Sequence, residues 1–362
     1  MSYKKWWTGI SVLALIALLI TACGGPATTE APAATEAPSP TEAPAAEMPS
    51  ELNVAAILCC GLENDWDATF VESFGRVQAA QPHDLQIADL VFTEGVFGED
   101  AERVMREYAE SGQYQVIWAH STYTDQVRNL KDAYPDILWV VVGGGNEGLG
   151  GNVYWVGKQV YEPAYLLGLI AGKMTTSNVI GSVGPFATDD TNAEINAFFD
   201  GARSVNSDIS VKASFIDSWF DPPKATEASN AQIAAGVDQM FMRADAFDSC
   251  EQSQILCYGP IADNTRVAPN TNVADALAMW EPEINYIVDV WYDHAANGTA
   301  YAGAPDFWWA TMAQGGSALS PINPNLVDSI PQDVLDLVEQ TQADILSGAL
   351  VVERHPEPPV SD

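Results

Sequence analysis

Six loops in this sequence set aromatic and acidic side chains close together. They are "CCGLENDWDATF" with Asn64, Asp65, Trp66, Asp67 and Phe70; "AHSTYTD" with Tyr123 and Asp125; "GPFATDD" with Phe186; "DSWFDPPKATEA" with Trp219 and Asp221; "MRADAFD" with Arg243 and Asp245; and "YGPIAD", ending in Asp263. An aromatic ring offers a flat apolar face and a carboxylate accepts hydrogen bonds, so such loops suit the walls of a binding cleft. Each residue also has a structural alternative. An aspartate after a strand commonly caps a helix, and Asp125, Asp190 and Asp221 stand where helices should begin. A Trp or Phe at a strand end can simply pack. Core aromatics, however, have no reason to gather in the same loops along the whole chain, and that accumulation favours the cleft.

Catalytic patterns are scarce. His83, His120, His294 and His355 show no metal-binding spacing, and neither a Gly-x-Ser-x-Gly elbow nor a Gly-Lys-Ser/Thr phosphate loop occurs. "GGGNEG" at 143–148 fits Gly-x-Gly-x-x-Gly, but the next residues, "LGGNVYWV", read as turn and strand, with no helix to face a pyrophosphate. The cysteines lack a zinc spacing, and no regular calcium loop is present, so no metal or cofactor is expected. A Cys250–Cys257 disulfide is sterically conceivable, while Cys59 and Cys60, as neighbours, make an awkward pair.

The loops come after short apolar runs, among them 52–59, 116–119, 137–142, 179–183 and 211–216, that read as buried parallel strands. Amphipathic stretches at 99–111, 124–134, 162–174, 190–204 and 224–235 read as helices. Strand and helix in alternation predict a doubly wound α/β fold, and the similar starts "NVAAIL" and "NVIGSV" hint at two like lobes. In such sheets ligands bind outside the carboxyl ends of the strands, where these loops lie.

The chain carries a net charge of −34. Its first fifty residues hold Lys4 and Lys5 against four glutamates, so the remainder keeps −32. A field of that sign repels nucleic acid and anionic lipid, which excludes both as partners. "MSYKKWW", an apolar run and "ITAC" stand in the order of a bacterial secretory signal over 1–22 and resemble a lipoprotein leader, in which Cys23 becomes the acylated N-terminus. Residues 23–50, with their repeated TEAP, read as a disordered tether.

The leader, the tether, the βα series, "YEPAYLLGLIAGKM" (161–174) and above all "GARSVNSDISVKASFIDSWFDPPKATEASNAQIAAGVD" resemble the basic membrane protein family of ABC-transporter substrate-binding lipoproteins. The resemblance covers roughly residues 52 to 350, and the branch associated with purine bases such as adenine is nearest in pattern. It implies two Rossmann-like lobes of the type I periplasmic-binding-protein fold, joined by a three-stranded hinge. The first lobe would comprise 51–160 with about 264–300, the second 161–263 with about 301–352. It further implies an extracytoplasmic, lipid-anchored monomer that passes its ligand to a membrane permease and performs no chemical step.

Residue by residue, "DATF" resembles the family's Asp-x-Ser-Phe signature, which would turn Asp67 to the edge of a base and stack Phe70 on its ring, with Asn64 and Trp66 on the same wall. Tyr123 and Asp125 match the second loop. Trp219 would stack from the other lobe, with Phe220 in the core and Asp221 capping a helix; Asp245 and Asp263 match acids that point into the cleft. Two departures favour a base over a nucleoside: Ile261 replaces an acid that contacts ribose, and "ADALAMWEP" lacks the ribose lysine. Val71 stands where the family has asparagine. Trp280, Trp308 and Trp309 are expected to pack. A sugar or signal ligand is the main rival; a nucleoside hydrolase would need a clustered Asp motif that is missing near the first strand.

Overall fold

The computed structural model describes residues 48–244, 246–303 and 307–362; the leader, Cys23, nearly all of the tether and Asp245 lie outside the described residues. β1 (Glu51–Leu52) and β3 (Gln86–Ile87) pair as a short parallel ribbon. β2 (Val54–Leu58), β4 (Val91–Glu94), β5 (Val116–His120), β6 (Leu138–Val142) and β7 (Val153–Val156) form a parallel sheet in the order β4-β2-β5-β6-β7. α1 (Asp65–Ala80), α2 (Gly98–Glu110) and α3 (Thr124–Leu130) connect them. β2, β5 and β6 are buried along their length, as apolar strands covered on both faces must be. Their side chains alternate between two cores: Trp118 and Val140 join Phe70, Phe74 and Trp280, while Ile117 and Trp139 join Met105 and Val127.

The second sheet runs β13-β12-β11-β10-β8-β9. Its strands are β8 (Val179–Gly184), β9 (Ser210–Phe215), β10 (Gln239–Met242), β11 (Leu256–Ile261), β12 (Asn272–Ala278) and β13 (Ser317–Leu319), the last antiparallel to its neighbour. α4 (Tyr161–Met174), α5 (Asp189–Val205), α6 (Pro222–Ala234), α7 (Phe247–Ser253) and α9 (Gln332–Ser347) belong with it, and a Cys250–Cys257 disulfide ties α7 to β11. The apolar stretch "LLGLIAG" becomes an α4 that meets α5 backbone to backbone: a Cβ at Gly168 would lie 2.1 Å from the Phe198 carbonyl oxygen, and one at Gly201 2.1 Å from that of Tyr165. Gly168→Ala should therefore cost about 1–3 kcal/mol in chemical denaturation, as overpacking does. Gly75→Ala on α1, where nothing lies within 4 Å, is the control and should stabilise slightly.

The lobe boundaries differ from those expected. β12 pairs parallel with β11, so residues 264–278 stay with the second lobe rather than joining the first. The chain crosses only at 279–280, after which α8 (Glu281–Asn297) packs Ile284, Ile287, Val288 and Trp291 on the first core. Tyr301 and Trp308 pack on that core too, and Trp308 bridges Val156 at the edge of β7. The misplacement has a simple cause: "NVADALA" is as apolar as any strand here, and nothing in it marks which sheet it joins.

Among the described residues three segments cross between the lobes: 157–160, 279–280 and 309–316. Gly157 N–H donates to Trp308 O (3.1 Å) and Met279 N–H to Gly316 O (3.0 Å). Lys158, wholly buried, ties all three together. It lies on the first, its Nζ donates to Met279 O on the second and Gly316 O on the third, and it pairs with Glu283 of α8.

Candidate functional site

The carboxyl ends of both sheets face one cavity. From the first lobe come Cys59 and Cys60 after β2, Asn64, Asp65 and Trp66 at the start of α1, Ser121 and Thr122 after β5, and Val142, Gly143 and Gly144 after β6. From the second come Asp190, Trp219, Arg243 and Ile261. The space among them, its open mouth included, is about 570 Å³.

Each wall is built locally. Asp67 Oδ2 accepts from Cys60 N–H (2.9 Å) and Gly61 N–H (2.8 Å) and so folds the first loop over itself. Asn64 caps α1, accepting from Trp66 N–H at 3.1 Å. This aims Trp66 into the cavity, backed edge-on by Trp280 at 4.8 Å. Behind it, His120 accepts from Trp118 Nε1 and donates to the Trp66 carbonyl; burial pushes its pKa down to about 3, so it is a neutral spacer. The "GGGNEG" loop is braced by Asn146, whose amide donates to Ser121, Val142 and Gly143 carbonyls, and β7 comes next in the chain.

In the second lobe, Trp219 meets Phe186 edge-on at 4.9 Å. Asp221 caps α6 by accepting from Lys224 N–H at 3.1 Å. Asp190, in the first turn of α5, reaches across the cleft to accept from Gly144 N–H at 2.8 Å, a direct tie between lobes. Gly144 is needed there, since a Cβ would lie 2.3 Å from an Asp190 oxygen. Arg243 pairs with Glu194, which burial nevertheless raises to about 7. Burial also raises Asp65, offset in part by the side chain of Asn264. Ile261 adopts φ +72, a conformation costly for a β-branched residue, at the cavity wall.

Four of the expected residues are brought together here: Asn64, Trp66 and Trp219 at the cavity, with Phe186 behind Trp219. Others serve elsewhere. Asp67 is fully buried beneath the loop it folds, and Phe70 is a core ring stacked on His120 at 4.2 Å. The reason is helical geometry: with α1 starting at Asp65, residues 67 and 70 turn toward the sheet, and Asp65 and Trp66 turn to the cleft. Tyr123 is buried with its hydroxyl on Val96 O (2.7 Å), and Asp125 is an exposed partner of Arg128. Asp263 closes a local turn with Thr265 (2.9 Å to its N–H) and does not line the cavity; Ile261 does. Phe220 is exposed, not core. Trp280 and Trp308 pack, as expected. Asp65, Asp190 and Arg243 line the cavity without having been expected as ligand contacts. Two of these are visible in sequence as acids at helix starts, but nothing there separates a cap from a wall. Arg243 places a cation among the acids of the cleft.

Residues 66–248 match the family model described as ABC transporter substrate-binding protein PnrA-like. A purine-binding protein of Brucella abortus is 30% identical over 70% of this chain and 69% of its own length. A protein named as a candidate ABC transporter glucose-binding protein of Haloferax volcanii is 29% identical over 77% and 70%. Among solved structures, a solute-binding protein of an ABC transporter system from Aeropyrum pernix superposes with a TM-score of 0.67 at 17% identity, over 84% of this chain and 94% of that one, a likeness of fold. The chain belongs to the PnrA-like family of ABC transporter substrate-binding proteins.

Proposed function

We propose that this chain captures a purine base between its lobes outside the cytoplasm, held to the membrane through Cys23, and hands it to the permease of an ABC importer. The observation that carries this reading is the pairing of Trp66 and Trp219 from opposite lobes on one cavity that also holds the carboxylates of Asp65 and Asp190. Two aromatic faces suit a flat ring, and carboxylates accept its N–H donors. Ile261 in place of a ribose acid supports a base over a nucleoside. A ligand selects the closed form only by touching both lobes, and the Asp190–Gly144 bond is the protein's own contribution to that state.

The test is a thermal-shift panel of adenine, other bases, nucleosides and glucose. Ligand at ~100 times its dissociation constant adds about 2.7 kcal/mol. A shift with a base and none with its nucleoside is expected. A shift with glucose alone would replace the purine with a sugar, which the Haloferax relative makes the natural rival. Trp219→Ala should weaken binding by about 1–3 kcal/mol, by analogy with base stacking on aromatics, and leave the unfolding midpoint of the free protein unchanged. Unaltered affinity in that variant defeats the stacking role.

A further inference from the structure

Cys59 and Cys60 follow β2 at the cavity wall, with their sulfur atoms 2.9 Å apart. Cys59 is buried, Cys60 half-buried, and neither belongs to the Cys250–Cys257 bond. We propose that this adjacent pair is a reversible thiol–disulfide site in the ligand cavity, closed by exchange with a low-molecular-weight disulfide and opened again by thiols. The Cys60 thiolate, the accessible one, attacks one sulfur of the external disulfide, forming a mixed disulfide and releasing one thiolate. Cys59 then attacks Cys60 Sγ, its proton passing to the Asp67 carboxylate 3.9 Å away, and expels the second thiolate. Two protein thiols are oxidised to one disulfide, and the external disulfide is reduced to two thiols once the thiolates take up protons. The hydrogen bond with the Cys60 thiol, then burial and the Asp67 carboxylate, hold the Cys59 thiol well above its ordinary pKa, so ring closure is the slow step.

Adjacent Cα atoms are only about 3.8 Å apart, short of the ~4.4–6.8 Å that relaxed disulfides span, so the ring is strained and readily reduced. It also disturbs the site. The backbone N–H groups of Cys60 and Gly61 that Asp67 holds belong to the loop leading to Asn64, Asp65 and Trp66. Ring closure should loosen that hold and lower ligand affinity at least tenfold, a consequence that rests on the cleft being the ligand site.

The experiment titrates the full chain with oxidised and reduced glutathione. Cys59 and Cys60 should lose reactivity toward iodoacetamide together, in a peptide lighter by two hydrogens and free of glutathione. Mild dithiothreitol should reverse this while Cys250–Cys257 stays closed, and Cys59→Ser should instead trap glutathione on Cys60. A lasting glutathione adduct on Cys60 of the unaltered chain, or two thiols that stay open to alkylation, overturns the proposal. Hydrogen exchange at the Gly61 amide reads the loop without any ligand: faster exchange in the oxidised chain is expected, and unchanged exchange overturns the gating role. With adenine as probe, equal affinity of both redox forms likewise overturns gating. Adenine binding by neither form, with the ring still closing and Gly61 still responding, defeats the purine reading and leaves this one supported.

Discussion

Replacing Lys158 with alanine is expected to cost about 3–5 kcal/mol of folding stability, the usual result of stripping one partner from a buried ion pair. Its ammonium has three acceptors for its three protons: Met279 O, Gly316 O and the Glu283 carboxylate. Removing it leaves two buried carbonyls of the crossing segments without that donor and Glu283 without its countercharge. Burial already disfavours the charged form of both partners, raising Glu283 and lowering Lys158, so the pair survives on geometry. A urea titration reads the loss as a lower midpoint at unchanged slope. Glu283→Leu combined with Lys158→Met should recover only the part due to the uncompensated Glu283 charge, because the apolar pair still leaves Met279 O and Gly316 O without the ammonium and Ala310 N–H without Glu283 Oε1. A single variant as stable as the parent would mean that the crossings do not depend on this tie.

The fold was legible because its strands are apolar on both faces and most of its helices amphipathic: 116–119 and 137–142 emerge as β5 and β6, and 99–111 as α2, which buries one face. Direction and partnership were not. Nothing local told β12 to join the second sheet. In "NDWDATF" the helix begins at Asp65, and that single boundary decides that Asp65 and Trp66 see the cleft while Asp67 and Phe70 see the sheet. The family signature marked the right loop, yet in this structure its acid and its ring hold the loop and the core. Asp190 was legible as a residue at a helix start, though Thr188 takes the cap position, and its bond to Gly144 depends on the approach of two lobes that sequence periodicity does not encode.

Acidification from about pH 7 toward pH 4.5 should raise the unfolding midpoint of this protein. Burial lifts Asp275 from 3.8 to about 7, Glu194 from 4.5 to about 7 and Asp67 from 3.8 to about 6. A raised carboxyl binds its proton more tightly folded than unfolded, so the folded state holds more protons across this window and stability falls as pH rises. Each group's contribution is complete below its unfolded pKa and is lost as pH climbs through the folded one. For Asp275 the acceptor is already met by Asn272 (2.8 Å) and Asn264 (3.2 Å), and burial still wins. Relief of repulsion among the many surface acids acts in the same direction. The opposite sign belongs to His120, which burial lowers to about 3 and whose contribution shrinks as pH falls below its ordinary 6.5, so the three raised carboxyls must outweigh it. Asp221, Asp238 and Glu251, whose hydrogen bonds outweigh burial and hold them below their ordinary values, lose their contribution only below about pH 4.5. Stability should therefore pass through a maximum in mildly acidic solution. Asp275→Asn isolates one source: its midpoint should vary less between pH 4.5 and 7 than the parent's. An undiminished slope in that variant would take Asp275 out of the account and leave the effect to Glu194, Asp67 and the surface charge.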